Sequence, residues 1–275
     1  MKLQFDLGAD LTVAFDDHEY KDDEAHLKKS IELTQRWALR CKREYNKRYP
    51  ELGSGSIKKE IPKPASPARC DAEGAKRGEQ VRNDGRPLLY GVIHGGTNKK
   101  LRIKSAKFTD KYFEAIAIGG IYGTKKQMYE MIDYTQQNTS SEKIKHLLGI
   151  GEIEDLFEGI GRGIDMFDCV APTRRARNGS LYISPKSGGG RKNNFTFNIS
   201  SSKFKIDMRP VDSECGCYTC LNFSRAYLRH LYLGREILFH QLATYHNIYF
   251  ITKLVEIIRE AIKSNSLSKL KSHYN

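Results

Sequence analysis

The stretch Gly149–Gly179, GIGEIEDLFEGIGRGIDMFDCVAPTRRARNG, constrains the fold more than any other part of the chain. It opens on a Gly-x-Gly turn and an acidic start at Glu152, Glu154 and Asp155, with apolar residues at Ile153, Leu156, Phe157 and Ile160. Acids ahead of an apolar series with helical spacing are how an amphipathic helix begins. Ile164, Met166 and Phe167 then predict a short buried strand ending on Asp168. A loop is expected next, carrying Arg174, Arg175 and Arg177 around Asn178 and Gly179. In a β/α barrel the chemistry sits at the carboxyl ends of strands. An aspartate at such an end beside guanidiniums points to a carboxylate acting on a phosphate-bearing substrate.

The preceding chain alternates in the same way. Leu11–Phe15 reads as a strand ending on Asp16 and Asp17, and strand-end aspartates of this kind also serve as caps for the next loop. A helix over Asp23–Lys47 places Leu27, Ile31, Ala38, Cys41 and Tyr45 on one stripe, with Trp37 and Cys41 expected in the core. Between Pro50 and Pro87 the composition turns to Gly, Ser, Pro and charge, which predicts a flexible insertion holding Cys70. Strand Leu88–Gly96 (LLYGVIHGG), helix Lys99–Lys111, strand Phe113–Ile118, helix Lys125–Gln137 and strand Ile144–Ile150 follow. Strand and helix in alternation favour a parallel β/α barrel. Met128, Met131 and Ile132 are expected in the core.

Forty-six Lys plus Arg against thirty-three Asp plus Glu give a net charge of +13, which favours nucleic acid over an acidic protein as partner. No apolar run approaches the ~20 residues of a membrane span, and the amino terminus MKLQFDLGAD carries acids where a secretory signal has an apolar core. A cytoplasmic location is expected. In a reducing compartment the six cysteines serve as thiols or metal ligands rather than as disulfides. Cys215, Cys217 and Cys220 in ECGCYTC, with His246 in LATYHN, offer three thiolates and an imidazole. Such a set closes a tetrahedral site, as structural Zn2+ requires.

The segment GIDMFDCV-x-PTR-x-AR-x-G resembles the signature of the tRNA-guanine transglycosylases, or queuine tRNA-ribosyltransferases. The cysteine motif, with SRAYLRHLY and the later His246-Asn247, resembles that family's zinc-binding subdomain. The resemblance implies that Asp168 is the nucleophile in base exchange at a ribose C1′ and that Asp16 reads the base. It implies further base contacts from His94, which stands in place of a glutamine, and from Gly120 and Ile121. Gly149, Ile150, Gly151, Glu152, Ile153, Glu154 and Asp155, together with Thr173, Arg174, Arg175, Ala176 and Arg177, correspond to the family's RNA-contacting segments. His18 stands where many bacterial members have a cysteine, and the loop after Gly120 is shorter than usual, so the base pocket is expected to be reshaped.

The expected fold is therefore α/β, a TIM-type (β/α)8 barrel lacking its first strands, with an inserted zinc-binding subdomain near the carboxyl end. The organisation reads as a strand and helix over 1–49, an insertion over 50–87, barrel strands with catalytic and RNA-contacting loops over 88–180, a β-rich zinc-binding part over 181–250, and a helix with a basic tail over 251–275. The β-rich part includes a flexible tip, SPKSGGGRKNN, and helices over Leu221–His246 and Ile248–Ala261. No Asp-Ser-Gly-Gly-Phe occurs, the family motif whose aspartate is assigned proton transfer. A truncated gene, half of a split enzyme and a degenerate protein are all open. Two functions follow: exchange of guanine at the wobble position of tRNA for queuine or preQ1, or a non-catalytic, zinc-stabilised tRNA-binding or partner subunit. The resemblance also implies a homodimer; a partner chain that supplies the missing strands is the alternative, and the absence of a long apolar run predicts no membrane association.

Overall fold

The structure, a computed structural model, describes residues 1–19, 21, 23–50, 85–121 and 123–274. Residues 51–84, most of the expected insertion and Cys70 with it, lie outside the described residues. Five parallel strands form one sheet in the order β1 (Leu11–Val13), β2 (Leu88–Ile93), β3 (Ala115–Ile118), β4 (Ile144–Leu147) and β5 (Met166–Phe167). Strand neighbours in sequence are neighbours in the sheet. Helices α2 (Glu24–Arg48), α3 (Lys99–Tyr112), α4 (Lys125–Gln137) and α5 (Ile153–Gly161) fill the four connections, and a short α1 (Lys2–Asp6) precedes β1. Sequential parallel strands joined by single helices are the TIM-type α/β arrangement.

Local chemistry explains the helix ends. Asp23 caps α2 by accepting from the His26 amide, and Asn98 caps α3 by accepting from Leu101. Thr124 and Gln127 form a reciprocal capping box on α4. One sheet face, with Ile93, Ile116, Ile118 and Leu147, packs with Ala106, Met128 and Ile132 from the helices. The other face gathers Tyr90, Val92, Ala115 and Ala117. The registers Leu11↔Leu88, Tyr90↔Ala115, Ala115↔Ile144 and His146↔Met166 align the carboxyl ends of the strands.

The described residues fall into two compact units, one made of 1–50, 85–150 and 158–168, the other of 151–157 and 169–274. In the second unit α6 (Ala171–Arg177) precedes a two-stranded antiparallel ribbon, β6 (Ser180–Tyr182) and β7 (Thr196–Asn198). Then come α7 (Tyr218–Asn222), α8 (Arg225–Leu233), α9 (Ile237–Lys263) and α10 (Leu267–His273).

Several expectations are corrected here. The arginine-bearing segment is helix α6 rather than a loop, since Pro172 is tolerated in a first turn that needs no amide hydrogen. The part after Ser180 is less β-rich than expected: it holds two three-residue strands, and 3-10 turns at Pro185–Ser187 and Arg191–Asn193 order the expected flexible tip. Helix α9 runs 27 residues through 247 and 250 without a break, because its chain reversal lies earlier, where Arg235 takes a left-handed φ of 56°. The basic tail is helical at Leu267–His273, and the ring of Tyr274 packs against Phe157 and Phe195 at 5.3 and 5.5 Å. Trp37 is half-buried against the exposed ring of Phe15 rather than in the core. Strand β5 is half-buried, with only Ile164 before it fully covered.

Candidate functional site

The carboxyl edge of the parallel sheet carries Asp16, His94, Gly119, Gly120, Gly149 and Asp168, each just past the end of its strand. Side chains alternate between the two faces of a strand. Tyr90, Val92 and His94 therefore share a face with Ile144, His146 and Leu148, and with Met166 and Asp168. The sequence-predicted base reader and nucleophile thus lie on one edge of one sheet.

His94 is buried, and its Nε2 lies 2.7 Å from Oδ2 of Asp16. The His94 amide donates to Ser105 Oγ at 3.1 Å, which fixes the residue from the helix side. Gly120 lies flat on the other edge of the ring: a Cβ there would stand 2.6 Å from His94 Nδ1, and φ is +59°. Only glycine meets both demands. After β1 the chain is tied to α2, with the Asp17 amide donating to Thr34 Oγ1 and Ser30 Oγ donating to the Asp17 carbonyl. A small cleft opens here, bordered by His18, Ser30, His94, Gly96 and Gly120. His18 and His94, two of the departures from the family pattern, both border it.

Asp168 is the more exposed carboxylate, with 58% of its side chain accessible. The Gly149 amide donates to its Oδ1 at 3.2 Å. His146 Nε2 stands 3.0 Å from the same oxygen, close enough for an ion pair but off the hydrogen-bond direction. Both contacts fall on Oδ1, so among the described residues Oδ2 has no partner. Burial pulls the His146 pKa below its ordinary value, against the opposing pull of Asp168. The edge of its ring faces Tyr90 at 5.9 Å, and the Tyr90 hydroxyl donates to Met166 Sδ at 3.2 Å. Burial, with the nearby charge of Asp165, raises the Tyr90 phenol.

His146 was missed by the sequence reading. The signal was present: in KIKHLLGIG a polar residue alternates with Ile144 and Leu148 on the strand whose end meets Asp168.

In the second unit the expected RNA-contacting residues divide. Ile153, Asp155 and Ala176 turn their side chains inward, with 2%, 5% and 0% exposure. Gly151 is also buried, where a Cβ would meet Cys169 Cβ at 2.7 Å. Arg175 is engaged by Glu152 at 2.8 Å and has its guanidinium 5.9 Å from the Tyr182 ring centre. Arg174 and Arg177 are exposed, Thr173 and Glu154 are partly so, and Arg191 reaches Glu154 at 3.8 Å.

Cys215, Cys217, Cys220 and His246 converge, their ligand atoms all within 4.8 Å of one another. His246 Nδ1 is 3.7, 3.4 and 3.3 Å from the three sulfurs. A tetrahedral ion with ordinary metal–sulfur and metal–nitrogen bonds separates such atoms by roughly 3.6 Å. The other imidazole nitrogen, Nε2, lies 2.9 Å from the Tyr182 carbonyl, which fixes it as the protonated one and leaves Nδ1 as the donor atom. Hydrogen bonds from Cys215 and Cys220 pull the Cys217 thiol down. The set fits a metal ion. Asn247 braces it by accepting from the Tyr182 amide and donating to the carbonyls of Pro172 and Ser180.

No described helix is long and apolar enough to cross a membrane. The family model described as Queuine tRNA-ribosyltransferase matches residues 1–275. A queuine tRNA-ribosyltransferase of Caldanaerobacter subterraneus subsp. tengcongensis is 38% identical over all of this chain and 62% of its own length. One from Bacillus subtilis is 34% identical over 61% of its length, and an Archaeoglobus fulgidus protein given the same name provisionally is 41% identical over 59%. The chain thus spans about three-fifths of the length of these curated relatives. The chain belongs to the queuine tRNA-ribosyltransferase family.

Proposed function

We propose that this chain carries the base-exchange chemistry of a tRNA-guanine transglycosylase, replacing guanine at the wobble position of tRNA with a 7-deazaguanine such as queuine or preQ1. The observation behind this reading is Asp168: an exposed carboxylate at a strand end, with Oδ1 held by the Gly149 amide and Oδ2 open. Oδ2 attacks C1′ of the ribose as the bond from C1′ to N9 breaks, and that electron pair leaves with guanine, which takes up a proton. The incoming base gives up a proton and attacks C1′ from its N9, releasing the carboxylate. A covalent ribosyl ester thus links two displacements, as in retaining glycosidases.

Asp16 offers two acceptor oxygens to the ring N–H and amino group of guanine. Exposed Arg174 and Arg177 supply phosphate contacts at the amino-acid stretch the family uses for RNA. The Cys3His cluster holds Zn2+ as a structural ion, since three soft thiolates and one imidazole leave no position for a reacting water. A homodimer accompanies this reading.

A second reading, a non-catalytic tRNA-binding subunit, is favoured by one observation. The carboxylate expected to read the base is already engaged by His94.

Incorporation of labelled guanine into unmodified tRNA bearing a wobble guanosine tests the choice. Exchange that falls more than about 10³-fold in Asp168→Ala supports the enzyme. No exchange by the unaltered chain, with tRNA still bound, supports the subunit.

A further inference from the structure

Arg102, near the amino end of α3, is fully buried. No carboxylate faces it among the described residues. Its hydrogen bonds all go to backbone carbonyls: Nε at 3.2 Å and Nη2 at 2.8 Å to Gly96, Nη1 at 3.0 Å to Gly119, and Nη2 at 3.0 Å to Gly120. Burial lowers the guanidinium pKa to about 9, which still leaves it charged at neutral pH. A desolvated cation without a counter-ion is costly unless dipoles replace its water. Here those dipoles belong to the two glycine turns that border the cavity beside His94.

The consequence lies on the opposite side of the same peptides. In a trans peptide the C=O and N–H point in opposite directions, and the chain has no cis peptide bond among its described residues. Drawing the carbonyls of Gly119 and Gly120 onto the guanidinium therefore turns the amides of Gly120 and Ile121 away from it as adjacent donors. The left-handed φ of Gly120, +59°, is the backbone state in which successive amides form a concavity for an anion or a carbonyl oxygen. Neither amide donates to another described residue.

We propose that Arg102 is a positioning residue that presets the Gly120 and Ile121 amides as a donor pair for the exocyclic carbonyl oxygen of a purine-type base. The inference rests on the reading of Asp16 as the base-binding carboxylate. Recognition is then divided: the carboxylate meets the base's two donors, and the amide pair meets its acceptor. A lysine could not replace Arg102, because one ammonium cannot hold three carbonyls in a fixed fork.

The test is equilibrium dialysis of labelled guanine against the chain, with unlabelled hypoxanthine and 6-thioguanine as competitors. Hypoxanthine lacks the amino group that faces Asp16. 6-Thioguanine keeps it and replaces the carbonyl oxygen with a poorer acceptor. The unaltered chain should prefer guanine over 6-thioguanine by about tenfold, the loss of one aligned hydrogen bond. Arg102→Lys should abolish most of that preference while leaving the preference over hypoxanthine in place. Ile121→Pro, which deletes one donor and spares the buried cation, should do the same and stands in if Arg102→Lys fails to fold. Equal loss of both preferences in Arg102→Lys would assign Arg102 a merely structural role, and unchanged preferences in both variants would also overturn the proposal. If the unaltered chain binds no guanine, the base-binding reading itself fails and takes the inference with it.

Discussion

His94 Nε2 lies 2.7 Å from Oδ2 of Asp16, so one oxygen of the carboxylate proposed to read the base is already engaged. A ligand that uses both oxygens has to displace the imidazole. Charge-assisted contacts of this kind are among the stronger hydrogen bonds.

The first prediction concerns that pair. In His94→Gln the amide can release the carboxylate more readily and still reach the cavity, so guanine affinity should rise several-fold, whereas Asp16→Asn should lower it at least about tenfold. Equilibrium dialysis of guanine measures both. Weaker binding in His94→Gln would mean that the imidazole itself contacts the base.

The second concerns pH. Burial outweighs the attraction of Asp168, and the His146 pKa is lowered in the folded chain. Below the ordinary value near ~6.5 the unfolded chain therefore takes up a proton at this residue before the folded chain does. Stability is fully present above that pH and is lost as pH falls toward the lowered folded value. Calorimetric melting at pH 7 and pH 5.5 should show a smaller drop in Tm for His146→Asn than for the unaltered chain. An equal or larger drop would rule out a desolvated His146.

The third concerns the metal. Elemental analysis should give one zinc ion per chain, and none in Cys220→Ser. Chelation should lower Tm by more than about 10 °C and reduce helical circular dichroism, since His246 and Asn247 join α9 to β6 and α6. A chelated chain that melts unchanged would mean the cluster carries no structural ion.

Helix α4 was legible to the residue, and α2 and α3 to within one, because their stripes and caps are local features of Asp23, Asn98 and Thr124. The segment at Arg174 was misread because a Pro-x-Arg-Arg run suits a loop as well as a first helical turn. Its packing on α9, through Pro172 and Asn247, settles the matter from far away in sequence. Arg175 is expected from the resemblance to lie in an RNA-contacting segment; Glu152, 23 positions earlier, engages it.

The sequence alone determined the alternation of strands and helices, the strand-end carboxylates Asp16 and Asp168, and the three cysteines of the Cys3His set, since each rests on residue type and short spacing. Tertiary structure alone decided that His94 closes on Asp16 across 78 positions, that His146 stands beside Asp168, and that Arg102 is buried among the glycine carbonyls. These are relations between neighbouring strands and the helix behind them. Parallel register and helix packing fix them, and neither is written in any one segment.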